Sequence, residues 1–152
     1  MKRPADCKSR ARGVTLIELM IVVIILSVLA AIAFPSYRSY VIRTNRSEAT
    51  AALLNLRSNQ ERFYLQNNSY ADTAELTTAP PAGLGMSATT EGGRYTLSIV
   101  DGDAAQFSAQ AVPATGGGQT EDDACQTFTI NNLGVRTAEN GGGTDNTAEC
   151  WR

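Results

Sequence analysis

The chain has 152 residues, 13 Lys and Arg against 15 Asp and Glu, no histidine, and 43% hydrophobic residues. Length and composition fit one folded domain, and the missing imidazole excludes histidine-based general-base catalysis, Ser/His and Cys/His dyads and most zinc sites. No P-loop or dinucleotide fingerprint is present: Gly116-Gly117-Gly118 and Gly141-Gly142-Gly143 run into acidic and polar loop residues, not a phosphate-cradling helix.

Residues 1–13, MKRPADCKSRARG, carry Lys2, Arg3, Lys8, Arg10 and Arg12 against a single acid, Asp6. Such a basic run ahead of an apolar span holds its own end in the cytoplasm. The span follows directly. From Leu19 to Phe34 sixteen residues pass without a charge, and eleven of them are Leu, Ile, Val or Phe. A helix from Val14 to Phe34 is roughly 31 Å long at about 1.5 Å per residue, the thickness of a bilayer's hydrocarbon core. The apolar side chains favour insertion by about 3–7 kcal/mol, against roughly 3 kcal/mol or less for an acid near the end of the span. The segment is therefore expected to enter a membrane in spite of Glu18.

The order basic leader, Gly13, Val14-Thr15-Leu16-Ile17-Glu18, unbroken apolar run and Pro35 resembles the type III signal of the type IV pilin family, shared by prepilins and pseudopilins. The resemblance implies that a membrane-embedded prepilin peptidase cuts between Gly13 and Val14 and methylates the new amino terminus. The family usually has Phe where this chain has Val14. It further implies an assembly role for Thr15, Glu18 and Pro35. Glu18 would pair, inside a bundle of apolar helices, with the charged amino terminus of a neighbouring subunit and so set the axial register. An ordinary secretory signal peptide, cut after Ala31-Ile32-Ala33, is the plainer alternative, and it has no use for Glu18.

Removing the leader's five basic and one acidic residues from 13 and 15 leaves 8 and 14, a net charge of −6. That balance disfavours a general nucleic-acid binder. Cys7 leaves with the leader, and Cys125 and Cys150 remain as an even pair in an exported chain. A disulfide between them, bounding a carboxyl-terminal loop, resembles the D-region of type IV pilins; two free thiols are the alternative.

Beyond the span, Pro35 lacks an amide hydrogen, so a kink or local unwinding is expected nearby. Ala49, Ala52, Leu53, Leu56 and Phe63 then fall on one helical face, and one long helix from Val14 to about Gln66 is predicted. Arg38, Arg43, Arg46, Glu48, Arg57, Glu61 and Arg62 read as a solvated face, with lipid headgroups as the alternative partner of the first three. Asn67-Asn68-Ser69 ends the helix. Residues 67–93, with Pro80-Pro81 and four glycines, read as a loop pinned to the head by Tyr64 and Tyr70.

Four strands are expected: Arg94–Val100 by its alternation, a second through Phe107, Ala109 and Ala111, a third at Phe128 and Ile130, and a short fourth beginning at Val135. Asp101-Gly102-Asp103 and Asn131-Asn132-Leu133-Gly134 read as turns. Asp101/Asp103 and Glu121/Asp122/Asp123 offer oxygen ligands in number, but neither has EF-hand spacing, and both read as solvated loops.

The expected fold is α+β, a long N-terminal helix packed on a four-stranded antiparallel sheet, as in type IV pilins. The divisions are leader 1–13, transmembrane or filament-core helix 14–35, and head 36–152, made of helix 36–66, loop 67–93 and sheet with disulfide-bounded loop 94–152. The endings around Cys125 and Cys150 resemble minor pilins of the PilE and ComP type.

The resemblance implies a structural subunit and no enzyme, with no cofactor and no metal. Its expected partners are homologous pilin subunits, the prepilin peptidase, the pilus assembly machinery and the inner membrane before assembly. Twitching motility and adhesion are the implied roles. DNA is a further partner the resemblance admits, with Arg94, Arg136 and Arg152 as its head contacts. A type II secretion pseudopilin is the competing structural reading.

Overall fold

The computed structural model describes residues 13–152, so the basic leader and Cys7 lie outside the described residues. The element order is α1 (Leu16–Asn67), β1 (Tyr95–Gly102), β2 (Phe107–Pro113), β3 (Thr127–Asn131), β4 (Arg136–Glu139) and a single turn, α2 (Thr147–Cys150). The chain divides after Arg38 into two units.

The first unit is the apolar part of α1. Its large hydrophobic side chains from Leu16 to Phe34 are 49–78% exposed, so every face presents apolar surface. A helix apolar all round needs a lipid or protein surround. Helical structure continues through Pro35 rather than unwinding there. The ring fixes a helix-compatible φ, and the single bond it removes leaves the flanking turns formed.

The second unit begins at Ser39. Four strands pair antiparallel in the order β1-β2-β3-β4, a simple meander. The alternating residues Tyr95, Leu97, Ile99, Phe107, Ala109, Ala111, Phe128, Ile130 and Ala138 point to one side and are buried. They form one core with Ala49, Leu53, Leu56 and Phe63 of α1. The alanines of β2 leave room for the leucines of the helix.

Gln60 belongs to the same buried face. Its side-chain amide donates to the Ala71 carbonyl at 2.9 Å and accepts from the Ala71 amide at 2.8 Å, which ties the following loop to the helix. The helix stops at Asn68, which adopts φ 52° while its amide bonds the Tyr64 carbonyl at 2.8 Å. Asparagine tolerates this left-handed position better than most residues.

The loop is well packed. Tyr70 stacks on Tyr64 with ring centroids 4.6 Å apart and leans on Phe107 at 5.0 Å, while Leu76 and Leu84 are buried. Asp101-Gly102 belongs to β1 instead of a turn, because a register shift after Ile99 lets the strand run on to pair with β2. The reversal falls one step later, where Asp103 Oδ1 accepts the amides of Ala105 and Gln106 at 2.7 and 2.8 Å. A Cβ at Gly102 would collide with the Ala71 carbonyl, which explains the glycine there.

Both sheet edges are covered. On β1, the Leu97 amide donates to the Ala88 carbonyl at 2.8 Å, and the Thr73 hydroxyl donates to the Ile99 carbonyl. On β4, the Asn146 amide donates to the Ala138 carbonyl at 2.8 Å, and the Trp151 indole donates to the Thr137 carbonyl at 2.8 Å. Edges occupied in this way do not template an added strand.

Candidate functional site

The residues singled out at the amino-terminal end of α1 form a helix start. Thr15 precedes the first helical residue, and its Oγ1 accepts the Glu18 amide at 3.3 Å. Thr15-Leu16-Ile17-Glu18 thus has the T-x-x-E spacing of a capping box, a signal present in the sequence. One half of that box is made. The Glu18 carboxylate has no ion pair or side-chain hydrogen bond among the described residues and is exposed. It sits in the first turn, where the helix dipole favours negative charge. This acid, without a partner among the described residues, stands beside sixteen uncharged residues.

The lower part of the head holds a polar cluster that corrects the solvated reading of two segments. Arg46 is 8% exposed and Asp122 4%. Arg46 Nε donates to Asp122 Oδ2 and Nη2 to Asp122 Oδ1, both at 2.8 Å, while Nη1 reaches Glu149 Oε1 at 3.2 Å. The hydrogen bond to Asp122 outweighs burial and holds the Arg46 pKa above its ordinary value. The hydrogen bond to Arg46 in turn holds the Glu149 carboxyl below the usual range.

Beside this cluster the buried Gln119 donates to the Tyr95 hydroxyl at 2.8 Å and to the Ile42 carbonyl at 3.2 Å, and it accepts from Asn45 at 3.0 Å. The helix is thereby bolted to segment 119–122, which precedes Cys125. Cys125 and Cys150 form a disulfide, S–S 2.00 Å, with both residues buried. Asp122 therefore belongs to an ion pair, and Asp103 to a turn. No group of three or more acidic or cysteine side chains able to hold a metal occurs among the described residues.

The three arginines considered for DNA do not converge. Arg94, just before edge strand β1, is held by Glu48 at 2.7 Å. Arg136 opens β4, at the opposite edge of the sheet, with its guanidinium 5.4 Å from the centre of the Trp151 ring. Arg152 follows Trp151 in sequence and donates from Nε to the Ala148 carbonyl at 3.1 Å. Arg43 lies on the rim of a cleft shared with Arg152 and Glu149.

Two family models match the chain and meet between residues 34 and 35, four residues before the division of the fold after Arg38. Residues 8–34 match the model of the prokaryotic N-terminal methylation motif. Residues 35–129, more than half of the chain, match the model described as type IV minor pilin ComP, DNA uptake sequence receptor. Among curated proteins, the chain is 37% identical over 110 residues to the type IV major pilin protein PilA of Myxococcus xanthus, a match covering 72% of this chain and 47% of that protein. It is 40% identical over 93 residues to fimbrial protein EcpC of Eikenella corrodens, covering 61% of this chain and 56% of that protein. The chain thus spans about half the length of the curated relatives it matches.

The non-core minor pilin PilV of Neisseria meningitidis is 20% identical, with a TM-score of 0.51, over 70% of this chain and 94% of that structure, a likeness of fold. The methylation motif and the apolar helix mark a membrane-anchored precursor of an extracellular pilus protein. With a family model covering more than half of its length, the chain belongs to the type IV pilins.

Proposed function

We propose that the chain is a structural, non-catalytic subunit of a type IV pilus, drawn from the inner membrane and held in the filament by bundling of its apolar helix. The observation that carries this reading is the helix itself, exposed and apolar on every face, with one acid near its start that has no partner among the described residues. A membrane shields those side chains before assembly, and neighbouring helices shield them afterwards. Cleavage between Gly13 and Val14 creates the amine that Glu18 lacks, and methylation of Val14 keeps it positive. Thr15 caps the helix start, Pro35 marks the passage from filament core to head, and the Cys125–Cys150 bridge closes the terminal loop. The divisions 1–13, 14–35 and 36–152 follow the same logic. Prepilin peptidase, other pilin subunits and the assembly machinery are the partners this route requires.

Mass spectrometry of purified filaments tests the reading. A component beginning at methylated Val14 and two hydrogens lighter than the reduced form supports it. A soluble exported protein beginning at Phe34 overturns it.

A second reading, a receptor for DNA, is favoured by the description of the family model matched at 35–129. Of the three arginines considered, Arg136 and Arg152 remain for this role, since Arg94 is engaged by Glu48. A salt-dependent gel shift by the processed protein supports this role, and no shift at low salt removes it.

A further inference from the structure

Two features of the head remain without a role in the fold. One is a cleft of about 630 Å³ between α1 and the segment preceding β1, lined by Ala51, Ala52, Asn55, Asn59, Met86 and Glu91 among others. The two alanines leave a trough along the helix, and Glu91 on its rim is exposed with no partner among the described residues. The other is the turn joining β3 to β4. There Leu133 is 78% and Val135 52% exposed, and the next residue is the exposed Arg136. The turn is stiff, because Gly134 adopts φ 78° and lies against the Arg57 guanidinium, and the Asn131 side chain accepts the Val135 amide at 2.9 Å. An exposed apolar knob on a braced turn is a contact surface looking for a trough.

We propose that the β3–β4 turn of one copy of this chain seats Leu133 and Val135 in the α1 cleft of the next copy, with Arg136 meeting Glu91. Three relationships support a second copy as the occupant. The charges are complementary. Asn55 lines the cleft, whereas Arg57, two positions on, backs the turn; at about 100° per residue they point to opposite flanks of the helix. A contact between opposite flanks of identical chains is heterologous, and it propagates without closing unless the rotation returns to its start. Finally, both sheet edges are already occupied, which leaves side-chain docking rather than strand addition as the way for two heads to meet.

The inference rests on the filament reading above. Its test is cross-linking in intact filaments built from a chain carrying Leu133→Cys and Ser87→Cys, the second on the cleft wall. The native cysteines are bridged, so a short bis-maleimide reaches only the introduced pair. The expected result is a ladder of dimer, trimer and higher species that neither single variant gives. Arg136→Glu in the same background reduces the ladder at least tenfold, and adding Glu91→Arg restores it. Filaments without a ladder, or with a product that stops at dimer, overturn the docking. A chain absent from filaments overturns the subunit reading instead, and the docking with it.

Discussion

Arg46 and Asp122 are joined by two parallel 2.8 Å hydrogen bonds across 76 residues of sequence, and both side chains are buried. This pair fixes the start of the head helix to the loop that enters the disulfide. Removing one partner strands the other charge where water does not reach it. Asp122→Ala is therefore expected to cost about 3–5 kcal/mol. Replacing both residues, Arg46→Met with Asp122→Leu, should recover most of the loss. Glu149→Ala should cost under about 1 kcal/mol, because that side chain is 48% exposed. Urea unfolding of the detergent-solubilised chain measures all three. Equal stability of Asp122→Ala and wild type would show that the pair is dispensable.

How much of this was legible in sequence divides by the length scale of the signal. The apolar periodicity of α1 and the alternation of the strands are local, and they placed the helix face, the four strands and the helix stop at Asn67-Asn68-Ser69. Arg46 and Gln60 were missed although their register was visible. Positions 46, 49, 53, 56, 60 and 63 repeat at three and four, so both polar residues sit on the buried face. Their chemistry hid them, since a long polar side chain is normally exposed. The partners Asp122 and Ala71 carry no local mark. Nor did Asp101-Gly102 reveal that a register shift would keep it in the strand. The acid at Glu18 stands out in the sequence because a charge inside an apolar run is costly.

Tyr95 gives the head a base-sensitive point. It is fully buried, and burial pushes its phenol up to about 12. The unfolded phenol ionises near 10, so the folded chain binds this proton more tightly. The stability involved is complete below pH 10 and is lost as pH rises from about 10 to 12, on the order of 2 kcal/mol. Tyr95→Phe should flatten that decline while giving up the 2.8 Å bond from Gln119, so the variant is weaker at neutral pH. Unfolding curves at several pH values across this window decide the matter. An unchanged slope for Tyr95→Phe assigns the decline to another group.

The disulfide closes residues 126–149 into a loop, with a sequence separation of 25 between its cysteines. Loop-closure entropy puts its contribution at about 3–4 kcal/mol. Reduction should lower the melting temperature of the processed protein by several degrees, and Cys125→Ala with Cys150→Ala should match the reduced protein. Asp122 of the ion pair lies three residues before Cys125, so the loss of the pair and the loss of the bridge should combine less than additively. A melting temperature indifferent to reductant would mean that the loop is held by its hydrogen bonds alone.

Glu18 carries the prediction on which the filament reading is most exposed. As a monomer in the membrane, the chain loses nothing when the acid is replaced. Glu18→Val removes roughly 3 kcal/mol of insertion penalty and adds an apolar group. The variant should therefore reach the membrane at the wild-type level and be processed at Gly13. On the proposed filament reading the situation reverses, because the methylated Val14 amine of a neighbour would be buried without its counter-charge. An uncompensated buried cation costs several kcal/mol, and each 1.4 kcal/mol is a factor of ten. Incorporation should fall by about two orders of magnitude, read as the ratio of variant in sheared filaments to variant in membranes. Glu18→Ala should behave in the same way, since it also lacks the charge. If Glu18→Val enters filaments at the wild-type ratio, the carboxylate serves only to start the helix, and Thr15 Oγ1 already does that through the backbone amide of residue 18.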